Sequence, residues 1–235
     1  MYKPKKIIGI FGGMGPDATV DFYKEIIRIT PAKRDQEHIP VIIYSLPQVP
    51  DRTECIKKHD DSIIPYLKEG VKRLEYAGAS FICIPCNTAH YYFDHMQSEV
   101  SIPILHMISE TVEKIKRENP SVKRVGLLAT IGTIESCVYE KIFKQSGFDL
   151  IVPEIEVENE KVMRAIYGIK SGRNDEVIKN LLKDGANHLI ERGAELIVLG
   201  CTEIPLAFDS GSISIPVVNA TRVLAEAAVK KYFSD

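Results

Sequence analysis

The sequence has 235 residues, of which 45% are hydrophobic and 26% are charged, and its formal net charge is −2. This composition is typical of a globular protein with a substantial core, and the balanced charge argues against nucleic acid or an anionic membrane as a partner. Five scattered cysteines argue against a disulfide framework and favour a cytoplasmic location, and no stretch approaches the roughly 18 apolar residues of a membrane-spanning helix.

Apolar runs alternate with amphipathic stretches along the whole chain. The runs are rich in Ile, Val and Leu and occupy residues 7–11, 41–46, 81–85, 102–107, 125–130, 196–200 and 215–219. Strands that are apolar throughout, rather than alternately apolar and polar, are covered on both faces. The pattern therefore predicts an α/β fold with mainly parallel sheets flanked by helices.

The loop after the first run is rich in glycine. Residues 13–18, Gly-Met-Gly-Pro-Asp-Ala, match the G-x-G-x-x-A fingerprint of dinucleotide-binding sites. Asp17 argues against a nucleotide, because it places a carboxylate where a pyrophosphate would bind at a helix N-terminus. The next run, 41–46, also lacks the terminal acidic residue that would hold a ribose. The loop is better suited to a smaller anion, such as a carboxylate, bound by backbone N–H groups.

Cys83 and Cys86 form a C-x-x-C pair at the end of the third run. Redox pairs of this kind lie at a helix N-terminus, and in an extended chain residues three apart point to opposite faces, so the two thiols would diverge. A zinc site would need two more ligands, and only His90 and His95 are near. Cys83 is therefore predicted to be a core residue, while a core position and a catalytic role both stay open for Cys86.

The sequence contains an internal repeat. RLEYAGASFICIPCNT resembles HLIERGAELIVLGCTE, which places Cys86 and Cys201 in equivalent positions 115 residues apart, and two further similar pairs have offsets of 113 and about 117. The chain is therefore predicted to be two similar α/β halves, with a seam near residues 110–123. The pair offset by 113 residues, SIPILHMISETVEKIK and SIPVVNATRVLAEAAVKK, suggests that the strand and helix after Pro216 pack on the first half. The predicted domains are 1–110 plus 214–235, and 111–213.

The paired cysteines indicate a chemistry. Each follows the carboxyl end of a predicted strand, which is where open α/β sheets bind ligands. A single buried cysteine would be explained equally well as a core residue, but two at equivalent places in a repeat indicate a shared role. If the halves face each other about a pseudo-twofold axis, Cys86 and Cys201 approach one cleft from opposite sides. Two such bases suit removal of a proton from one face of a carbon and return of a proton to the other, which inverts a stereocentre.

Three motifs, GIFGGMGPDAT, PCNTAH and GCTEIPL, together resemble the aspartate/glutamate racemase family of cofactor-independent amino-acid racemases. The resemblance runs in order along nearly the whole chain. It implies two pseudosymmetric α/β domains with the active site in the cleft between them, and Cys86 and Cys201 as the acid/base pair. It also implies a racemase most like those for aspartate, with no cofactor, no metal, and assembly as a homodimer.

The resemblance further implies which residues hold the substrate. Aspartate racemases carry an arginine after the second strand and a lysine shortly before a glycine in the second half, and Arg52 and Lys170 match these positions. They would hold the two carboxylates of a dicarboxylic amino acid, although without the motifs each would be interpreted as a surface charge. Glu203 is expected either to orient the ammonium group or to cap a helix. The predicted substrate-binding residues are Met14, Arg52, Asn87, Thr88, Ala89, Thr130, Thr133, Lys170, Thr202 and Glu203.

Three alternatives stay open. The chain could racemise glutamate or another amino acid, or it could be a related isomerase that uses one cysteine as a nucleophile. It could also be a two-lobed module that binds a dicarboxylate without turning it over, although two facing thiols would then have no role. His90 is close enough to Cys86 to support the site residues without touching the substrate, but it is expected simply to begin the helix that follows Cys86.

Overall fold

The computed structural model describes residues 6–234, and its core contains two parallel sheets. The strands are β1 (Ile8–Gly12), β2 (Val41–Ser45), β3 (Phe81–Cys83), β4 (Arg124–Leu128), β5 (Asp149–Ile151), β6 (Leu196–Leu199) and β7 (Val217–Asn219). β1, β3 and β6 are buried along their whole length, as expected for apolar strands with helices on both faces. The predicted α/β fold with two mainly parallel sheets is confirmed.

The two sheets repeat one topology. The first has the order β2-β1-β3, and a parallel bridge between Ile82 and Ile104 continues it by one position. The second has the order β5-β4-β6-β7. The strand that precedes each of the two equivalent cysteines, β3 or β6, therefore pairs on one side with the first strand of its own half. On the other side it pairs with the segment that follows it in the chain. We call residues 6–118 the first half and residues 124–234 the second half.

Helices cover both faces of the sheets. They are α1 (Pro16–Ile29), α2 (Arg52–Lys58), α3 (Ile64–Tyr76), α4 (Phe93–Gln97), α5 (Met107–Glu118), α6 (Ile131–Glu135), α7 (Val138–Gln145), α8 (Ile155–Val157), α9 (Arg164–Lys170), α10 (Glu176–Glu191) and α11 (Ala220–Phe233), with a π-helical turn at Glu158–Met163. Single 3₁₀ turns occupy Asp35–Glu37, Asp61–Ile63, Thr88–Tyr92, Ile204–Leu206 and Ser210–Ser212. Within residues 6–234, no helix combines the length and the apolar character needed to cross a membrane.

Two details differ from the sequence-based expectation. The run 102–107 is not a strand, because only Ile104 bridges to the sheet and Met107 already begins α5. Pro103 has no N–H for a ladder, so the pairing is limited to bonds on either side of Ile82. β5 was not predicted, because it has only three residues, of which the first is an aspartate, and so short a strand shows no periodic pattern of hydrophobic residues.

The last helix of each half packs on the other half. α11 packs against α1 and α5, and Leu224 and Ala228 share an apolar cluster with Ile8 and Phe22. Conversely, α5 buries Val112 in the core of the second sheet. β7, in contrast, pairs with β6 in the second sheet. The division into 1–110 plus 214–235 and 111–213 stays a prediction, and its residues 1–5 and 235 lie outside the described residues. The homodimer and the cytoplasmic location likewise stay predictions.

Candidate active site

The two equivalent cysteines line one cleft between the halves. Cys86 follows the carboxyl end of β3 and Cys201 that of β6, and both are buried. Cys83 lies inside β3 in a different apolar cluster from Cys86, which confirms it as a core residue. The residues around the cleft are Met14, Asp51, Arg52, Thr53, Cys86, Asn87, Thr88, Thr130, Lys170, Cys201, Thr202 and Glu203.

Most of the predicted site residues therefore meet in one place. Ala89 and Thr133 are fully buried and do not line the cleft. Asp51 and Thr53, which flank Arg52, were not predicted, although their position beside a candidate cation was a usable signal. The sequence therefore predicted which segments meet at the cleft more reliably than which side chains line it.

The cleft is closed in this structure. Its cavity volume is about 10 Å³, which is room for about one water molecule. The halves approach closely where α2 meets α6, because a Cβ added to Gly132 would lie 2.6 Å from the Cα of Thr53. A second cavity of about 370 Å³ adjoins the mouth of the cleft and shares Arg52, Lys170 and Glu203 with it. A ligand larger than a water molecule can enter the inner cleft only if the halves move apart.

Cys201 is held as a thiol by Glu203. Its Sγ lies 3.0 Å from Glu203 Oε2, and an ionised carboxylate can only accept, so the sulfur donates. Burial, and then the negative charge of Glu203, raise the pKa of Cys201 well above its ordinary value. The other carboxylate oxygen, Glu203 Oε1, accepts a hydrogen bond from the backbone N–H of Gly15 at 3.1 Å. The glycine-rich loop of the first half therefore binds a carboxylate, and that carboxylate belongs to the second half.

The guanidinium of Arg52 is fixed by backbone carbonyls. Nη1 donates to the carbonyls of Val49 (3.3 Å) and Pro50 (3.1 Å), and Nη2 donates to that of Met14 (3.4 Å). Its Nε–H is buried and has no acceptor among the described residues. Nε and Nη2 share one edge of the guanidinium, which is an edge that can bind a carboxylate through two parallel hydrogen bonds. Arg52 thus keeps a buried donor available for an acceptor that the protein itself does not provide.

Arg52 and Lys170 are each associated with one cysteine. Burial lowers the pKa of Arg52, but negative charge at Cys86 and on neighbouring carboxylates outweighs it, so the pKa is raised. Desolvation lowers the pKa of Lys170, but Glu203 and then Cys201 outweigh it and raise the pKa. Lys170 is exposed at the mouth of the cleft, where its Nζ lies 5.4 Å from the centroid of the Tyr167 ring. Both cations therefore stay charged beside the thiols.

Three threonine hydroxyls join the halves beside the cysteines. Thr88 Oγ1 lies 3.0 Å from Thr130 Oγ1 and 2.8 Å from Thr133 Oγ1, and the latter two are 3.0 Å apart. Each hydroxyl has one proton to donate. A closed triangle can use all three protons internally, so at least one hydroxyl must turn before it can donate to an acceptor in the cleft.

His90 supports the backbone of Cys86, a role that its closeness in sequence allowed but that was not the favoured expectation. Its Nδ1 lies 2.9 Å from the carbonyl oxygen of Cys86, and its Nε2 accepts the backbone N–H of Met107 at 3.1 Å. These partners require the proton on Nδ1, so the ring is neutral and connects the cysteine turn to the first residue of α5. Burial is the main cause that lowers the pKa of His90 to about 4. His90 therefore stabilises the turn that carries Cys86, in addition to lying at the start of the following helical segment.

The buried neutral His90 makes stability depend on pH. Its pKa is about 4 in the folded protein and near 6.5 when unfolded, so between these values the unfolded state binds more protons. We expect this group to lower the free energy of unfolding as pH falls from 6.5 to 4, by up to roughly 3 kcal/mol. Urea unfolding of the wild type and of His90→Gln at pH 7.5 and 5.0 measures the difference. An equal loss in both proteins would contradict the assignment.

Comparisons with known proteins agree with one another. The sequence model of the Asp/Glu/Hydantoin racemase family matches residues 11–228. The chain is 30% identical over 232 residues to a broad specificity amino-acid racemase of Bacillus subtilis, covering 97% of this chain and 99% of that protein. It is also similar to the Picrophilus torridus aspartate racemase, with 30% identity, coverage of 97% and 94%, and a TM-score of 0.85. A glutamate racemase from Francisella tularensis, 17% identical with a TM-score of 0.70 over 97% of this chain and 81% of that one, shares the fold.

Proposed function

The chain belongs to the Asp/Glu/Hydantoin racemase family, and from this membership we propose that it racemises aspartate without a cofactor, by proton transfer between Cys86 and Cys201. The observation that carries the proposal is the placement of the two thiols. They follow equivalent strands of two repeated sheets and line one cleft from opposite halves. Cys86 and Cys201 act as the two bases that a stereochemical inversion needs.

The protons balance over one turnover. Cys86, as a thiolate beside Arg52, takes the α-proton, and the bonding electrons stay on the α-carbon. Cys201 gives its thiol proton to the opposite face and becomes the thiolate, which the cation of Lys170 stabilises. The reverse reaction exchanges the roles. In the substrate-free state, the hydrogen bond that Cys201 donates to Glu203 supports the assignment of Cys201 as the thiol.

The α-proton of an amino acid is barely acidic, so the site must stabilise negative charge that develops beside the α-carboxylate. Donors aimed at that carboxylate supply this stabilisation. The candidates are the amide of Asn87 and the hydroxyls of Thr88, Thr130 and Thr202, all of which line the cleft. The closed cleft excludes water, which strengthens these contacts. Admission of substrate and closure over it are therefore part of the cycle.

A dicarboxylic substrate is supported by the two cations. Arg52 has a buried Nε–H with no acceptor among the described residues, and Lys170 stands charged at the cleft mouth. Two carboxylates of one substrate would neutralise both. Because a charge-assisted pair in a partly buried site is about twice as strong as a neutral hydrogen bond, such contacts favour aspartate over neutral amino acids.

Broad specificity is the second candidate. The 370 Å³ cavity beside the cleft shares Arg52 and Lys170 with it and offers room for longer side chains. Similarity to a broad specificity racemase also favours this reading. Glutamate and neutral amino acids are then substrates as well.

A panel of pure L- and D-amino acids, incubated without added cofactor and followed by chiral chromatography, tests the proposal. We expect aspartate to be racemised with the highest kcat/KM. A higher value for a neutral amino acid would favour broad specificity. Tight binding of aspartate in calorimetry with no racemisation of any member would instead support a binding module. A covalent adduct trapped on Cys86 would support the single-nucleophile isomerase.

A further inference from the structure

Asn87 has a defined orientation in the cleft. Its Oδ1 accepts a hydrogen bond from the hydroxyl of Tyr139 at 2.6 Å. Its Nδ2 is buried and has no partner among the described residues. Asn87 itself is only 2% exposed and lines the cleft. A buried donor without an acceptor is costly, so this N–H is explained by a ligand that supplies the acceptor.

Tyr139 determines which end of the amide faces the cleft. Tyr139 is 1% exposed, and burial raises the pKa of its phenol, so the hydroxyl keeps its proton and must donate it. If the amide were turned by 180°, Nδ2 would donate to the phenol, and the phenol proton would have no acceptor in its present position. The turned amide would also present an oxygen, which repels a carboxylate. The phenol therefore selects the orientation that presents the N–H.

The contact crosses the cleft between the halves. Asn87 lies on the turn after β3 in the first half, whereas Tyr139 lies in the first turn of α7 in the second half. The Tyr139 ring is held by Phe143 and Phe148 in the core of the second sheet, with 5.5 Å between the Tyr139 and Phe143 ring centroids. The phenol is thus fixed to one half and the amide to the other. The amide is oriented only when the halves are together.

We propose that Tyr139 is a positioning residue that, on closure of the halves, presents the Nδ2–H of Asn87 to the α-carboxylate of the substrate. This inference rests on the proposed racemase function. It adds a residue outside the cleft lining to the machinery, and it couples closure to completion of the donor set that stabilises the developing charge. Tyr139 acts through Asn87 and does not touch the substrate.

A double-mutant cycle tests this inference. Tyr139→Phe removes only the hydroxyl, and we expect it to lower kcat/KM for aspartate about 10-fold, while Asn87→Ala lowers it further. In the Asn87→Ala background, Tyr139→Phe should change kcat/KM less than about 2-fold, because no amide is left to orient. Tyr92→Phe, at a tyrosine that is 3% exposed and outside the cleft lining, is the matched control and should stay within about 2-fold of wild type.

Two outcomes would overturn the inference. One is full activity of Tyr139→Phe, and the other is an equal loss from Tyr139→Phe in both backgrounds, which indicates a structural effect independent of Asn87. Thermal unfolding of each variant shows whether it is folded. If the wild type binds aspartate without racemising it, the proposed function is wrong, but the inference about Tyr139 can still be tested by binding. The dissociation constant for aspartate then replaces kcat/KM in the double-mutant cycle. Tyr139→Phe is again expected to have a smaller effect in the Asn87→Ala background than in the wild type.

Discussion

Replacing either Cys86 or Cys201 by serine is expected to reduce racemisation of aspartate by at least about 10³-fold, because each thiol serves as base in one direction and as acid in the other. A serine hydroxyl is similar in size but is a far weaker acid, so it neither ionises nor returns a proton at the required rate. The measurement is kcat/KM from chiral chromatography, in both directions, for each variant.

Cys137→Ser is the matched control for these variants. Cys137 is the exposed cysteine among the five and lies outside the cleft. Its replacement should leave kcat/KM within about 2-fold of wild type, as for most surface substitutions. Normal racemisation by either Cys86→Ser or Cys201→Ser would exclude the two-thiol mechanism. A loss in only one of the two variants would instead favour a mechanism with a single essential cysteine.

Lys170→Met is expected to lower kcat/KM for aspartate by about 10- to 100-fold and to lower the value for alanine by a smaller factor, because both substrates lose the stabilisation of Cys201 but only aspartate also has a second carboxylate to pair with the ammonium group. Methionine keeps the length of the side chain and removes the charge. The ratio of kcat/KM for aspartate to that for alanine measures the effect directly, since general damage to the site lowers both values.

Lys183→Met provides the control for Lys170→Met, because Lys183 is an exposed lysine on α10 that does not line the cleft. In Lys183→Met, the ratio of kcat/KM for aspartate to kcat/KM for alanine should equal that of the wild type. Equal losses for aspartate and alanine in Lys170→Met would remove Lys170 from the site of the side-chain carboxylate. Lys170 would then only stabilise negative charge at Cys201, which is one of the causes that raise the pKa of Lys170.

The sequence predicted the parts of the fold that have a strong local signal. Continuous apolar runs predicted six of the seven strands, and β1, β3 and β6, which are buried along their whole length, carry no polar positions. The repeat around Cys86 and Cys201 predicted that they occupy equivalent strand ends, and the two sheets have the same order. Short or interrupted pairing was harder to predict. β5 has three residues, and Pro103 limits the segment 102–107 to one bridge.

The partners of the site residues could not be predicted, because they are far apart in sequence. Tyr139 lies 52 residues from Asn87, and Gly15 lies 188 residues from Glu203. No periodicity or motif links such positions. His90 is a different case, since its spacing of four residues from Cys86 was visible. Only the path of α5 past the cysteine turn gives its ring a second partner. Packing of the two halves therefore determines the hydrogen bonds that make the cleft.

The most direct test of the account is racemisation of enantiopure L-aspartate and D-aspartate in deuterated water without a cofactor. Inversion by Cys86 and Cys201 removes the α-proton on one face and delivers a proton from a solvent-exchanged thiol on the other. Mass spectrometry of each inverted product should therefore find one deuterium at the α-carbon, from either enantiomer. Inverted aspartate that retains its original α-hydrogen, or no inversion of either enantiomer, would contradict proton transfer between the two thiols.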